Sequence, residues 1–183
     1  MIMMALATIR AETAGFRPID EGISKWNTSP KGTPNHHPFD KYDNRLKELG
    51  NSSAPDGDTF KGRGFVQLTG RANYDTVGDE IGVDLISNPA KANDSETSAK
   101  ILAQFLFDSR IKIRKHLKEG NIEEARRAVN GGLHGFAEFR AAFTDGRAFL
   151  HLAALKETQR KLHHAPRKLQ VATKAHAAAG AAH

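Results

Sequence analysis

The 183-residue chain has no cysteine, which removes both disulfide staples and thiolate metal sites and leaves packing to supply its stability. It has no run near the roughly 18 consecutive apolar residues that a membrane-spanning helix needs. Residues 1–7 are apolar, but no basic stretch precedes them and no small-residue cleavage site follows, so they read as a buried helix turn and not as an export signal. Phosphate-binding glycine loops are also missing. Gly62-Arg63-Gly64 lacks the third glycine of a dinucleotide fingerprint and is not followed by Gly-Lys-Ser/Thr. Aromatic residues are few, at 7%, and all lie between Phe16 and Phe149.

What is present has the composition of an ordinary globular protein, 39% hydrophobic and 26% charged, and is long enough for one domain with its own core. A formal charge of +6 points to an anionic partner, but its distribution matters more than its size. Residues 151–183 hold Lys156, Arg160, Lys161, Arg167, Lys168 and Lys174 against a single Glu157, which leaves residues 1–150 with only +1. The same segment has ten alanines and five histidines. The division is therefore a folded domain over residues 1–150 and a basic Ala/Lys/His-rich tail over 151–183. Leucines at 152, 155 and 162 could carry a helix as far as Pro166, which would end or kink it. The tail has two readings: a tether to an anionic cell envelope, or a solubilising terminus.

Hydrophobic spacing predicts helices over residues 3–14, 71–81, 94–107, 111–118, 122–130 and 136–155. Asn121 followed by Glu124 fits an N-cap with its partner, and Gly120, Gly131 and Gly132 fit helix exits. No alternating run would build a sizeable sheet. Residues 19–64 are rich in Asn, Asp, Ser and Gly, and five of the seven prolines fall at Pro18, Pro30, Pro34, Pro38 and Pro55. A loop this long in a compact domain usually serves binding, and it is expected to wall a cleft.

Glu12 lies seven residues after Ala5 and three or four after Ile9 and Thr8, which puts it with small and apolar residues near the end of its helix. Burial and the negative end of the helix dipole both favour a protonated carboxyl there, as a general acid requires. In the stretch Gly62-Arg63-Gly64-Phe65-Val66-Gln67-Leu68-Thr69-Gly70-Arg71-Ala72-Asn73-Tyr74, flexible glycines alternate with uncharged donors and acceptors suited to sugar hydroxyls and acetamides.

Residues 60–74 resemble the signature of glycoside hydrolase family 19, the family of class I chitinases and of many bacterial and phage lytic enzymes. Arg10-Ala11-Glu12-Thr13-Ala14-Gly15-Phe16 resembles the family's catalytic helix end. Tyr42-Asp43-Asn44-Arg45 with Leu49-Gly50-Asn51 resembles its second acidic segment, and Val129-Asn130-Gly131-Gly132-Leu133 its distal cleft motif. The four motifs occur in the family's order.

The resemblance implies a mainly α, two-lobed, lysozyme-like fold with long cleft-forming loops and little or no sheet. It implies hydrolysis of β-1,4 links in an N-acetylglucosamine polymer, chitin or peptidoglycan, by an endo-acting enzyme. Glu12 matches the general acid and Asp43 the general base of an inverting mechanism. Thr69 matches the hydroxyl that helps hold the attacking water. Gln67, Asn73 and Asn130 match residues lining the sugar subsites, and Arg140 matches a cleft arginine across a stretch of variable spacing. Inversion requires the two carboxyl groups to stand roughly 6.5–9.5 Å apart. Three features depart from the family pattern. Asp43 is one methylene shorter than the usual glutamate, the family's helices ahead of the catalytic one have no counterpart before Glu12, and Ala72 stands where plant members often carry tyrosine.

Asp40, Glu48, Asp56 and Asp58 read as solvated loop charges, and Trp26 reads as a core residue with sugar stacking as its alternative. The adjacent pairs His36-His37 and His163-His164 point to different faces, which disfavours a metal site. No cofactor or specific nucleic acid partner is expected. The expected state is a monomer that is made in the cytoplasm and acts on the wall or outside the cell. The competing reading is a catalytically silent glycan-binding protein.

Overall fold

The computed structural model describes residues 1–13, 15–130, 132–133 and 135–164. Among them are α1 (Ile2–Thr13), β1 (Ile19–Asp20), α2 (Leu46–Leu49), α3 (Asp56–Thr59), β2 (Arg63–Gly64), α4 (Arg71–Ile81), α5 (Ser95–Asp108), α6 (Arg110–Lys118), α7 (Ile122–Asn130) and α8 (Phe136–His164), with 3-10 turns at Asp40–Tyr42 and Pro89–Asn93. The fold is mainly helical, as expected. Its sheet is one antiparallel pair, Ile19 opposite Gly64 and Asp20 opposite Arg63.

The helix starts follow local chemistry. The Asp94 carboxylate accepts the Thr97 N–H at 3.0 Å and caps α5; these bonds hold the Asp94 pKa below its usual value. Asn121 Oδ1 accepts the Glu124 N–H at 3.0 Å at the start of α7, and Gly120, at φ 72°, ends the preceding helix in a left-handed turn. Gly131, expected as a helix exit, lies outside the described residues.

Backbone contacts divide the chain into two units, Met1–Phe143 and Thr144–His183. The core of the first joins Met4 and Ala7 of α1, Phe60, Phe65 and Leu68 of the glycine-rich stretch, Tyr74 and Val77 of α4, Ile101 and Leu102 of α5, Ile113, Val129 and Phe139. Each large side chain buried this way contributes roughly 1.5–3 kcal/mol. Phe139 stacks with Phe143 at 5.9 Å between ring centroids and with Phe136 at 6.2 Å. The described part of the second unit is the continuation of α8, on which Phe149, Leu150, Leu152 and Leu155 are exposed. The helix expected to end near residue 155 runs on to His164, and Pro166 and the rest of the tail lie outside the described residues.

Besides Phe39 and Phe60, the loop of residues 19–64 is tied by buried polar side chains. Asn27 is fully buried; its Nδ2 donates to Glu21 Oε1 and to Gly22 O, both at 2.9 Å, while its Oδ1 accepts from Ser24 N and Thr28 Oγ1. Asn51, equally buried, donates to Tyr42 O and accepts the Arg71 N–H, both at 2.9 Å. Gly64 has φ 79°, and a Cβ there would lie 2.6 Å from Ala92 O, so only glycine admits this close approach.

Four expectations need correction. Of residues 1–7 only Met4 and Ala7 are buried, because one face of α1 looks outward and leaves Ile2 71% exposed. Trp26 is 77% exposed with Lys25 Nζ 4.9 Å from its ring; it sits in a polar turn that no core residue covers. Asp56 is buried, since Arg71 Nη2 at 2.6 Å and the Ser52 N–H at 2.8 Å satisfy it. Asp40 is largely covered and accepts the Ser29 N–H at 2.7 Å.

Candidate functional site

Glu12 closes the last turn of α1 with its side chain 9% exposed. The reading from the sequence gave it only small and apolar neighbours. In the fold, Arg126 Nη2 of α7 donates to Glu12 Oε1, Arg126 Nη1 reaches Thr8 Oγ1 at 3.3 Å, and the guanidinium lies 5.1 Å from the Phe139 ring. Arg126 is fully buried, and a charge in that position is tolerated only when paired and hydrogen-bonded.

A second carboxylate anchors the loop cluster. Glu21, half-buried just after β1, accepts the Tyr42 hydroxyl at 2.7 Å and Asn27 Nδ2 at 2.9 Å on Oε1, and the Gly62 N–H at 3.1 Å on Oε2. Its own N–H donates to Gly62 O at 2.8 Å. Burial and the bond to Glu21 push the Tyr42 phenol well above its ordinary pKa, so it stays a proton donor to that carboxylate. A Cβ on Gly62 would lie 3.0 Å from both Glu21 Oε2 and Gln67 Oε1, so the glycine lets these two side chains flank one backbone position.

The residues expected to line the sugar subsites fall into two places. Gln67, at φ 55°, donates from Nε2 to Ile19 O at 3.1 Å and Gly64 O at 3.2 Å. Thr69 Oγ1 donates to Gln67 O at 2.8 Å, and Asn73 Nδ2 to Thr69 O at 2.7 Å. These three form one chain of hydrogen bonds, whose Gln67 end stands beside Gly62. Arg140 stands elsewhere, exposed on α8, where it lines a pocket of about 380 Å³ with Phe136, Asn121 and Ile122. Asn130 ends α7, and its side chain lies outside the described residues.

Asp43 follows the 3-10 turn at Asp40–Tyr42. Its side chain is 6% exposed, with Oδ1 accepting the Gly57 N–H at 2.7 Å and Oδ2 2.8 Å from His37 Nε2. Both oxygens are engaged, Oδ1 tying the turn to α3 and Oδ2 tying it to His37 of the same loop.

Glu21, Tyr42, Asn27 and Arg126 were therefore missed from the sequence. Arg126 had a signal: on α7 it falls four residues after Ile122 and three before Val129, on the buried stripe, whereas the adjacent Arg127 is off that stripe and pairs with Glu123 and Glu124 at 3.2 Å. Glu21 had none, because an acidic residue in a polar loop looks like any other. Among the described residues no group of three or more His, Asp or Glu side chains could hold a metal ion.

A family model described as chitinase class I matches residues 12–112, from Glu12 through the whole glycine-rich stretch. The acidic 27 kDa endochitinase of Solanum lycopersicum is 48% identical over 50 residues, which cover 27% of this chain and 20% of that protein. Chitinase 11 of Oryza sativa subsp. japonica is 37% identical over 84 residues, 45% of this chain and 29% of that protein. The chain thus spans under a third of the length of either plant relative. Among solved structures, chitinase C from Streptomyces griseus HUT6037 aligns with a TM-score of 0.48 at 19% identity, over 79% of this chain and 56% of that one.

Proposed function

The chain belongs to glycoside hydrolase family 19, the class I chitinases, and from that premise we propose that it hydrolyses β-1,4 links of an N-acetylglucosamine polymer by an inverting, endo-acting mechanism. The observation that carries this reading is the pair of acidic side chains flanking the segment between α1 and β1: Glu12 beside a buried guanidinium, and Glu21 among neutral donors next to Gly62 and Gln67. Glu12 is the proposed acid that protonates the leaving glycosidic oxygen. Gln67, Thr69 and Asn73 supply amide and hydroxyl contacts to sugar; Asn130 and Arg140 are proposed for more distant subsites.

For the base, motif and geometry favour different carboxylates. The motif match offers Asp43. Its two oxygens are committed to Gly57 and His37, and its side chain is nearly covered, which leaves little room for a water to be activated. Glu21 is half-buried beside Gly62 and Gln67 and accepts hydrogen bonds from the Tyr42 hydroxyl, Asn27 Nδ2 and the Gly62 N–H, so its carboxyl group is held in place at a position water can reach. We therefore assign water activation to Glu21 and loop anchoring to Asp43.

The test is reducing-end release from chitin oligosaccharides and from purified peptidoglycan, two polymers that share the β-1,4 geometry. Glu12→Gln and Glu21→Gln are each expected to lose about 10²–10⁴-fold in rate, while Asp43→Asn keeps activity wherever it still folds. Proton NMR of the first product should show the α-anomer. If Asp43→Asn folds and is as inactive as Glu12→Gln while Glu21→Gln retains activity, the base is Asp43. If wild type binds oligomers and releases no reducing ends, the chain is a silent glycan-binding protein. Residues 151–183 are proposed as an envelope tether; cosedimentation with cell envelopes that is unchanged on deleting residues 156–183 would end that idea.

A further inference from the structure

Helix α6 reads Arg-Ile-Lys-Ile-Arg-Lys-His-Leu-Lys, five full cations in nine residues with no acid. Ile113 is fully buried and Leu117 half-buried, so the opposite face is solvent-facing. By helical spacing that face carries Ile111 at its centre, flanked by Arg114, Lys115 and Lys118. Ile111 is 74% exposed. Among the described residues none of these cations makes an ion pair, whereas Lys61, Arg63, Arg71, Arg126 and Arg127 all do. The nearest acids in the chain are already engaged: Asp108 accepts from Gln104 at 3.0 Å, and Glu119 lies 3.4 Å from His116.

The cationic face continues into an apolar one. Phe107 on the last turn of α5 is 56% exposed, with the Arg110 guanidinium 3.8 Å from its ring centroid. Beside it a pocket of about 340 Å³ is lined by Met1, Ile2, Ala5, Ala103, Leu106 and Phe107, with Arg110 and Arg114 also in its wall. Apolar floor and cationic rim thus occur at one place. Solvent-exposed aliphatic and aromatic groups set among unpaired cations are the arrangement that partitions into a lipid headgroup region, where acyl chains take up the apolar groups and headgroup charge meets the Lys and Arg.

We propose that α6, with Phe107 and the start of α1, forms a docking surface for an anionic lipid bilayer. Charge complementarity selects this occupant. A second copy would set five cations against five. A soluble polyanion would satisfy the charges but leave Ile111, Phe107 and Ile2 in water.

The experiment is cosedimentation of the full chain with phosphatidylcholine vesicles and with vesicles that also contain phosphatidylglycerol, at low and high salt. Wild type should bind the anionic vesicles, release them at high salt and ignore the neutral ones. The triple variant Lys112→Glu, Lys115→Glu, Lys118→Glu should lower partitioning by more than about tenfold. The pair Phe107→Ser, Ile111→Ser should lower it about tenfold at unchanged charge. All five positions are exposed, so circular dichroism should show intact helix content in both variants. Vesicle binding equal to wild type in both folded variants overturns the proposal. Loss on charge reversal alone, with duplex DNA or polyphosphate competing fully, overturns it in favour of a polyanion site.

Discussion

Arg126 illustrates how much one interior charge asks of its neighbours. It is fully buried and holds the Glu12 carboxylate. Removing one member of such a pair strands the other in a low-dielectric setting and costs about 3–5 kcal/mol. Arg126→Met is therefore expected to lower Tm by roughly 6–20 °C in a thermal melt. A melt superimposable on wild type would mean that the pair contributes nothing net. Gly62 tests position rather than stability. Its added methyl would press on Glu21 Oε2 and Gln67 Oε1, both at 3.0 Å. Contacts this close push the neighbours by a few tenths of an ångström; since a displacement near 1 Å can cost about a hundredfold in rate, Gly62→Ala should lower kcat/KM by a smaller factor, roughly three- to tenfold, with little change in Tm. Equal activity in the two proteins would mean that the reaction does not depend on how Gly62 sets these two side chains.

At the scale of elements, the join between the loop and α4 rests on Asp56 and Arg71. The Arg71 bond holds the Asp56 carboxyl below the usual carboxylate range against the opposing effect of burial. A folded pKa below the unfolded value of about 3.9 contributes stability that is fully present above that value and is lost as pH falls through the folded pKa. Asp56→Asn should destabilise by about 1.5–3 kcal/mol at neutral pH. Urea melts should show this gap narrowing only below about pH 4, and a gap constant down to pH 2 would rule out the titration as its source. The cap of α5 is a smaller lever of the same kind. Asp94→Ala should lower the urea midpoint at unchanged slope, by less than Asp56→Asn does.

For the whole molecule, the division of labour follows sequence distance. Helices over residues 71–81 and 122–130 were legible to the residue, because their periodicity, Asn121 cap and Gly120 stop are local signals acting within four positions. The mainly helical class and the family were legible for the same reason, since short motifs kept their order, and the family match over residues 12–112 takes in the segments around Glu12, residues 42–51 and residues 60–74. The loop of residues 19–64 was legible as a long polar segment, but not what holds it, because Asn27, Asn51 and Asp56 look solvated until the fold buries them. Which arginine enters the interior beside Glu12 was decided by a contact 114 residues away along the chain. Whether Glu21 or Asp43 is left able to meet water was decided by Gly57, Tyr42 and Gly62 closing around them. The sequence by itself thus determined the main helices, several of their ends and the family. Only the tertiary structure decided each carboxyl group's surroundings, because desolvation and hydrogen bonding depend on everything within a few ångströms, and most of that arrives from elsewhere in the chain.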